Sequence, residues 1–191
     1  MNMSAIEILI DEHDLISRMV NVLTIMQKDL NKGGITSIDA NAFTDVVDFF
    51  RVFVDENHHA KEEKGLFPIL ELHGVNPEGC TLQSLRDEHR QSRELIMTLA
   101  TAIREYQEAD PTARSKISKA FRNMDDLYKH HTWRENILLF PVSEKVLKQS
   151  ELSDVAKIFS TIEKKFDTDF RTKYEELVDA LQKTADGPRL P

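Results

Sequence analysis

The chain repeats itself, and the repeat is built on histidine and glutamate. His58-His59-Ala60-Lys61-Glu62-Glu63-Lys64-Gly65-Leu66-Phe67-Pro68 aligns without a gap on His131-Thr132-Trp133-Arg134-Glu135-Asn136-Ile137-Leu138-Leu139-Phe140-Pro141, 73 residues later. His58 falls on His131, Glu62 on Glu135, Phe67 on Phe140, Pro68 on Pro141 and Glu71 on Glu144. Upstream of each copy, Asp11-Glu12-His13 returns as Asp87-Glu88-His89, 76 residues apart. A doubled unit of this size predicts two similar helical hairpins. Each carries one His on its first helix and a His-x-x-x-Glu on its second.

The spacing has chemical content. Residues i and i+4 lie one turn apart on the same helix face, so an imidazole and a carboxylate can reach one ion together. Two hairpins packed face to face bring four His and two Glu into a bundle interior. There carboxylates can bridge two cations while imidazoles cap each one. One His-x-x-x-Glu on a helix is ordinary surface decoration. Six such residues in a two-fold repeat flanked by apolar side chains are not, because burying that many ionisable groups without a cation is costly. His13, for instance, stands between Ile10 and Ile16 on an apolar stripe. Cys80 is the only cysteine, which excludes thiolate zinc and iron–sulfur sites. Nitrogen and oxygen donors remain, a set that suits iron.

His58-His59 followed by Glu62-Glu63 leaves two registers. Glu135 precedes Phe140 by five residues, as Glu62 precedes Phe67, so His58 and Glu62 are the better pair. His59 is turned about 100° away on an α-helix and is expected behind the ligands or at the surface. The alternative is that it fills a coordination position of one half only, since its counterpart is Thr132. His130 is expected outside the ligand set, and His73 at a helix end needs no metal to explain it.

Apolar spacing and breakers outline five helical stretches. They run from about Ser4 to Leu30, Ile38 to His73, Thr81 to Gln107, Ala113 to Lys148, and from an N-cap at Ser153 to Lys183. With only six Gly and six Pro in 191 residues, an all-β design is excluded. The expected architecture is all-α: an antiparallel four-helix bundle over residues 1–150, an accessory C-terminal helix over 151–184, and a loose tail at 185–191. The stripe Ile158, Phe159, Ile162, Phe166 and Phe170 is expected to pack that helix on the bundle, or to offer a surface for a homodimer or a protein partner. A net charge of −8 gives nucleic acid no electrostatic footprint, and no apolar run approaches the roughly 20 residues of a membrane span. The N-terminus lacks a basic stretch followed by an apolar core, so a cytoplasmic protein without a signal peptide is expected.

At these motifs the chain resembles the hemerythrin family, in particular its bacterial HHE cation-binding branch. The two His-x-x-x-Glu…Leu-Phe-Pro segments and the pairs Glu12-His13 and Glu88-His89 carry the resemblance, which extends over about Ile6 to Leu147. It implies a non-haem di-iron site bridged by two Glu and by an oxo or hydroxo group. Carried over by position, the ligands are His13, His58, Glu62, His89, His131 and Glu135. Oxygen carriers of the family have a further His four residues after the third; here that residue is Arg93. The resemblance implies binding or sensing of oxygen, nitric oxide or iron itself. The alternative is an enzyme acting on nitric oxide or peroxide, or an iron donor in cluster repair, for which Tyr106 and Tyr128 are candidate proton donors.

Overall fold

The computed structural model of the protein describes residues 3–31 and 40–186. The described residues form six continuous helices and no strand. These are α1 (Ala5–Asn31), α2 (residues 40–72), α3 (Leu82–Gln107), α4 (residues 113–146), α5 (Gln149–Glu163) and α6 (Phe170–Asp186). The first four close a ring of neighbours, α1 on α2, α2 on α3, α3 on α4 and α4 on α1. This is the antiparallel bundle that the repeat predicts. Thr81 caps α3, its hydroxyl accepting from the Ser84 amide at 3.0 Å. No helix among the described residues is long and apolar enough to cross a membrane.

On α1, Ile16 is buried and Ile10 exposed; of the C-terminal stripe Phe159 and Ile162 are buried, Phe166 and Phe170 half-buried and Ile158 exposed. The buried apolar side chains form two separate clusters. One joins Leu15 to Leu30 of α1 with Phe43 to Val54, Ile96 to Ile103 and Ile117 to Tyr128. The other joins Ala5 to Leu9 with Leu66 to Leu70, Leu82, Leu85, Leu139 and Phe140. Between them lies a polar layer.

The winding changes at that layer. Phe49–His59 and Glu62–Leu66 of α2, and Glu135–Leu139 of α4, are π-helical. The last two are the same segment of the repeat. Pro68 and Pro141 supply the reason: inside a helix each removes an amide donor and its ring pushes at the carbonyl four residues back. The preceding turn widens, and the Phe67 and Phe140 amides reach back five residues to the carbonyls of Glu62 and Glu135.

The C-terminal addition departs from the single helix expected between Ser153 and Lys183. Helix α5 starts earlier, with Lys148 as its cap and the Lys148 amide donating to Glu151 Oε2 at 2.7 Å. Around Asp167-Thr168-Asp169 the chain turns, and α6 runs back along α1. Short polar residues compete with helical hydrogen bonds, which accounts for the break. Phe159 of α5 is fully buried and lies against Gly65, where a Cβ would meet its Cε1 at 2.7 Å. Phe170 stacks on Phe53, and Tyr174, Val178 and Leu181 join the larger cluster. Phe159 and Phe170 thus pack on the protein's own core, while Ile158 is exposed and Phe166 half-buried. The start of the second helix expected at Ile38, and the tail from residue 187, lie outside the described residues.

Candidate metal centre

In the polar layer six side chains converge, all at most 2% exposed: His13, His58, Glu62, His89, His131 and Glu135. Two groups form within it. His13, His58, Glu62 and Glu135 each offer an atom within 4.8 Å of the others, and so do Glu62, His89, His131 and Glu135. Both carboxylates therefore belong to both groups. His13 Nε2 lies 3.1 Å from His58 Nε2, and His89 Nε2 lies 3.3 Å from His131 Nε2. Glu135 Oε2 stands 3.3 and 3.2 Å from the Nε2 atoms of His13 and His131. Glu62 stands 3.6 and 3.3 Å from those of His58 and His89.

The outer nitrogens fix which way each ring presents itself. His58 Nδ1 donates to Glu12 at 2.9 Å, His131 Nδ1 to Glu88 at 2.9 Å and His89 Nδ1 to Glu63 at 2.8 Å. His13 Nδ1 pairs with the amide oxygen of Asn136 at 2.8 Å. An ionised carboxylate only accepts, so the Nδ1 atoms carry the protons and the Nε2 lone pairs point inward. The outer carboxylates are held in turn. Lys61 and Arg134, equivalent in the repeat, bond Glu12 and Glu88, and Lys61 also reaches Glu163 of α5 at 2.6 Å. Asn57 donates to Glu12 at 2.9 Å. The rings are packed across the hairpins, Phe140 on His13 and Phe67 on His89.

The interior is thus a cage of acceptors. All four carboxylate oxygens of Glu62 and Glu135 are buried without a hydrogen bond, faced at 3.2 to 3.6 Å by the Nε2 atoms of the four imidazoles. A cage so made demands positive charge. The ionisation of its members reflects that demand. Burial opposes charge on His13 and His89, yet Glu135 and Glu62 facing them raise both, His89 to about 9. Burial likewise opposes charge on Glu135, but His131, His13 and His89 hold it down to about 2. Glu12 is held at about 2 against burial by His58 and Lys61. Two cations sharing the carboxylates fit the donor set and its geometry.

Of the two places expected for His59, behind the ligands or at the surface, it takes the first. It is buried, and it groups with His89 and His131 as a third set of potential donors. A π-helical turn holds more residues than an α-turn, so neighbouring side chains are rotated by less and both His58 and His59 stay inward. The His59 ring stacks on His89 at 3.8 Å, and its Nδ1 faces Asp55 at 3.3 Å. Burial, then the charges of His89 and His131, push its pKa well below the usual value, so it is neutral with a lone pair to offer. Arg93 binds Asp55 at 2.8 Å and Glu63 at 2.9 Å, securing the partners of both His59 and His89. His130 is exposed, and His73 bonds Glu151 at the surface. Tyr128 is buried, its hydroxyl paired with Ser92, and burial pushes its pKa up; Tyr106 packs edge-on against Phe43. The outer partners Asp55, Lys61, Glu63, Arg134 and Asn136 were not singled out from sequence. The repeat pairs Lys61 with Arg134 and Glu63 with Asn136, but gives no counterpart for Asp55, which falls on Tyr128.

The hemerythrin HHE cation-binding domain model matches the chain over residues 4–114 and again over 80–189. Uncharacterized proteins of Mycobacterium bovis and Mycobacterium tuberculosis are each 26% identical over 120 residues. The aligned stretch is 63% of this chain and 46% of theirs, so the chain spans less than half the length of these relatives. No solved structure matches it.

Proposed function

The chain belongs to the hemerythrin family of HHE cation-binding domains, and we propose that its cage holds two non-haem irons and takes up a small ligand: oxygen, nitric oxide or iron itself. In this reading Glu62 and Glu135 bridge the pair, with an oxo or hydroxo group as a further bridge. His13 and His58 hold one ion. His89 and His131 hold the other, and His59, stacked on His89, stands beside them. The observation that carries the reading is the set of four orphaned carboxylate oxygens between imidazole lone pairs. When bound, the irons supply a redox-active pair able to bind a diatomic molecule. The protein's own part is to keep the site dry and to fix its donors. Phe140 stacks on His13, Phe67 on His89 and Tyr128 on His59, and the cage residues are buried from solvent. Glu12, Glu63 and Glu88 hold the Nδ1 protons, which keeps the inner nitrogens free to donate. Residues 1–150 carry the cation function, and the accessory segment 151–184 braces it through Glu163 on Lys61.

Metal analysis of the purified protein tests this together with optical spectra taken before and after azide, oxygen or nitric oxide. Two irons per chain and a ligand-dependent shift of the charge-transfer bands are expected. His58→Ala, His131→Ala, Glu62→Ala and Glu135→Ala should each lower bound iron at least tenfold, whereas His73→Ala and His130→Ala leave it unchanged. Full iron retention in the Glu62 and Glu135 variants would overturn the assignment.

A further inference from the structure

Beside the cage lies a cavity of about 480 Å³, where the accessory segment meets the bundle. That is the volume of a small-molecule site. Phe53 of α2 lines it from the bundle, and Phe166 and Phe170, at the turn between α5 and α6, line it from the accessory side. The three rings make one aromatic wall, with Phe170 stacked on Phe166 at 4.1 Å and on Phe53 at 6.0 Å between ring centres.

The polar lining has acceptors to spare. Asn57 is 1% exposed and lines the cavity; its amide donates to Glu12 at 2.9 Å, but its Oδ1 is buried without a partner. Carboxylates outnumber cations around it, Asp11, Glu12, Glu163 and Asp167 against Lys164 and Arg171. Lys61 bonds both Glu12 and Glu163, and counting it still leaves four negative charges against three positive. Arg171 is already committed, to Asp11 at 3.0 Å and to Glu175 at 2.6 Å. An anionic guest would meet surplus negative charge and few free donors. A guest bearing N–H donors and positive charge would meet an orphaned acceptor, unbalanced carboxylates and three aromatic rings.

We propose that this cavity binds a primary ammonium ion carried on an aromatic body of one or two rings, and that its occupancy is linked to that of the cage. The ammonium is taken by Asn57 Oδ1 and the carboxylates, and the body lies against Phe53, Phe166 and Phe170. The link rests on the metal reading above. Glu12 lines the cavity and also accepts the Nδ1 proton of His58 at 2.9 Å, so a cation drawn to Glu12 competes with its hold on that ring. Such a link is reciprocal, metal altering amine affinity by the factor by which amine alters metal affinity.

Calorimetry with tryptamine, on the full chain both metal-free and loaded anaerobically with Fe(II), tests both parts. One-to-one binding is expected, at least about tenfold tighter than for the neutral tryptophol or the anionic indole-3-acetate, the worth of a desolvated cation–π contact or a charged hydrogen bond. Asp167→Lys, at an exposed position, and Phe166→Ala should each weaken tryptamine by about tenfold while keeping the parent's circular dichroism. Loading with iron should change the tryptamine Kd by about fivefold or more. No saturable binding, equal affinity for the three compounds, or variants that bind like the parent would overturn the site. A Kd unmoved by bound iron would overturn the link. Failure of the metal reading looks different: a chain that takes up no iron and still binds tryptamine.

Discussion

His89 faces carboxylates on both sides, Glu63 on Nδ1 at 2.8 Å and Glu62 by Nε2 at 3.3 Å. Burial works against its charged form, yet these neighbours raise its pKa to about 9, so without metal it is protonated at neutral pH. A cation needs the Nε2 lone pair and must expel that proton. The sign follows: below about pH 9 apparent metal affinity falls as pH falls, about tenfold per unit for each proton displaced. Calorimetry at pH 8 in buffers of different protonation heats should count at least one proton released per ion pair. A count of zero would show that the imidazole is already neutral. At this scale the inward donors were legible, because six of them sit at fixed spacings in a repeat. Their outer partners were not. Glu63 serves a ring of the next hairpin and Asn136 a ring of the first helix, so no local spacing links them to the imidazoles they support. His59 lies behind the ligands rather than at the surface because a π-helical turn rotates neighbouring side chains by less than an α-turn.

The Leu-Phe-Pro ending of each repeat is legible as a motif, but its effect belongs to the element. Pro141 denies the helix one amide donor, and the turn from Glu135 to Leu139 widens in response. Pro141→Ala restores the donor and removes an interior helix penalty of about 3 kcal/mol. The α-helical turn it permits would rotate Glu135 relative to His131. Metal-free Pro141→Ala should thus melt no lower than the parent while binding iron at least tenfold more weakly. Parallel loss of stability and affinity would mean that the proline acts through packing alone. The break between α5 and α6 escaped the sequence reading because Ile158, Phe159, Ile162, Phe166 and Phe170 keep helical spacing across it. Periodicity reports which side of a helix is apolar. The chain direction can still reverse between two helices whose apolar sides both meet the bundle.

Across the whole molecule the polar cage splits the core in two. The described residues place 27 buried apolar side chains in the cluster on one side and 15 in that on the other. The larger cluster, which includes Tyr174, Val178 and Leu181 of α6, is of a size that holds helices together without a metal. The smaller is joined to it through the cage, where without cations the buried Glu62 and Glu135 have only the facing imidazoles as partners. Bound metal adds stability by mass action, about 4 kcal/mol at a thousandfold excess over Kd. That stabilisation should be felt mostly where the cage supports the smaller cluster. Chelation is therefore expected to leave the helical circular dichroism largely intact and lower Tm by roughly 10 °C, given about 2–4 °C per kcal/mol at this chain length. Amide hydrogen exchange gives the spatial reading. Protection should fall first in residues 5–9, 66–70, 82–85 and 139–147, which border the smaller cluster, while residues 15–30 and 96–103 keep theirs. Uniform loss over all four bundle helices would show instead that cage and core form one cooperative unit, with metal stabilising both ends alike.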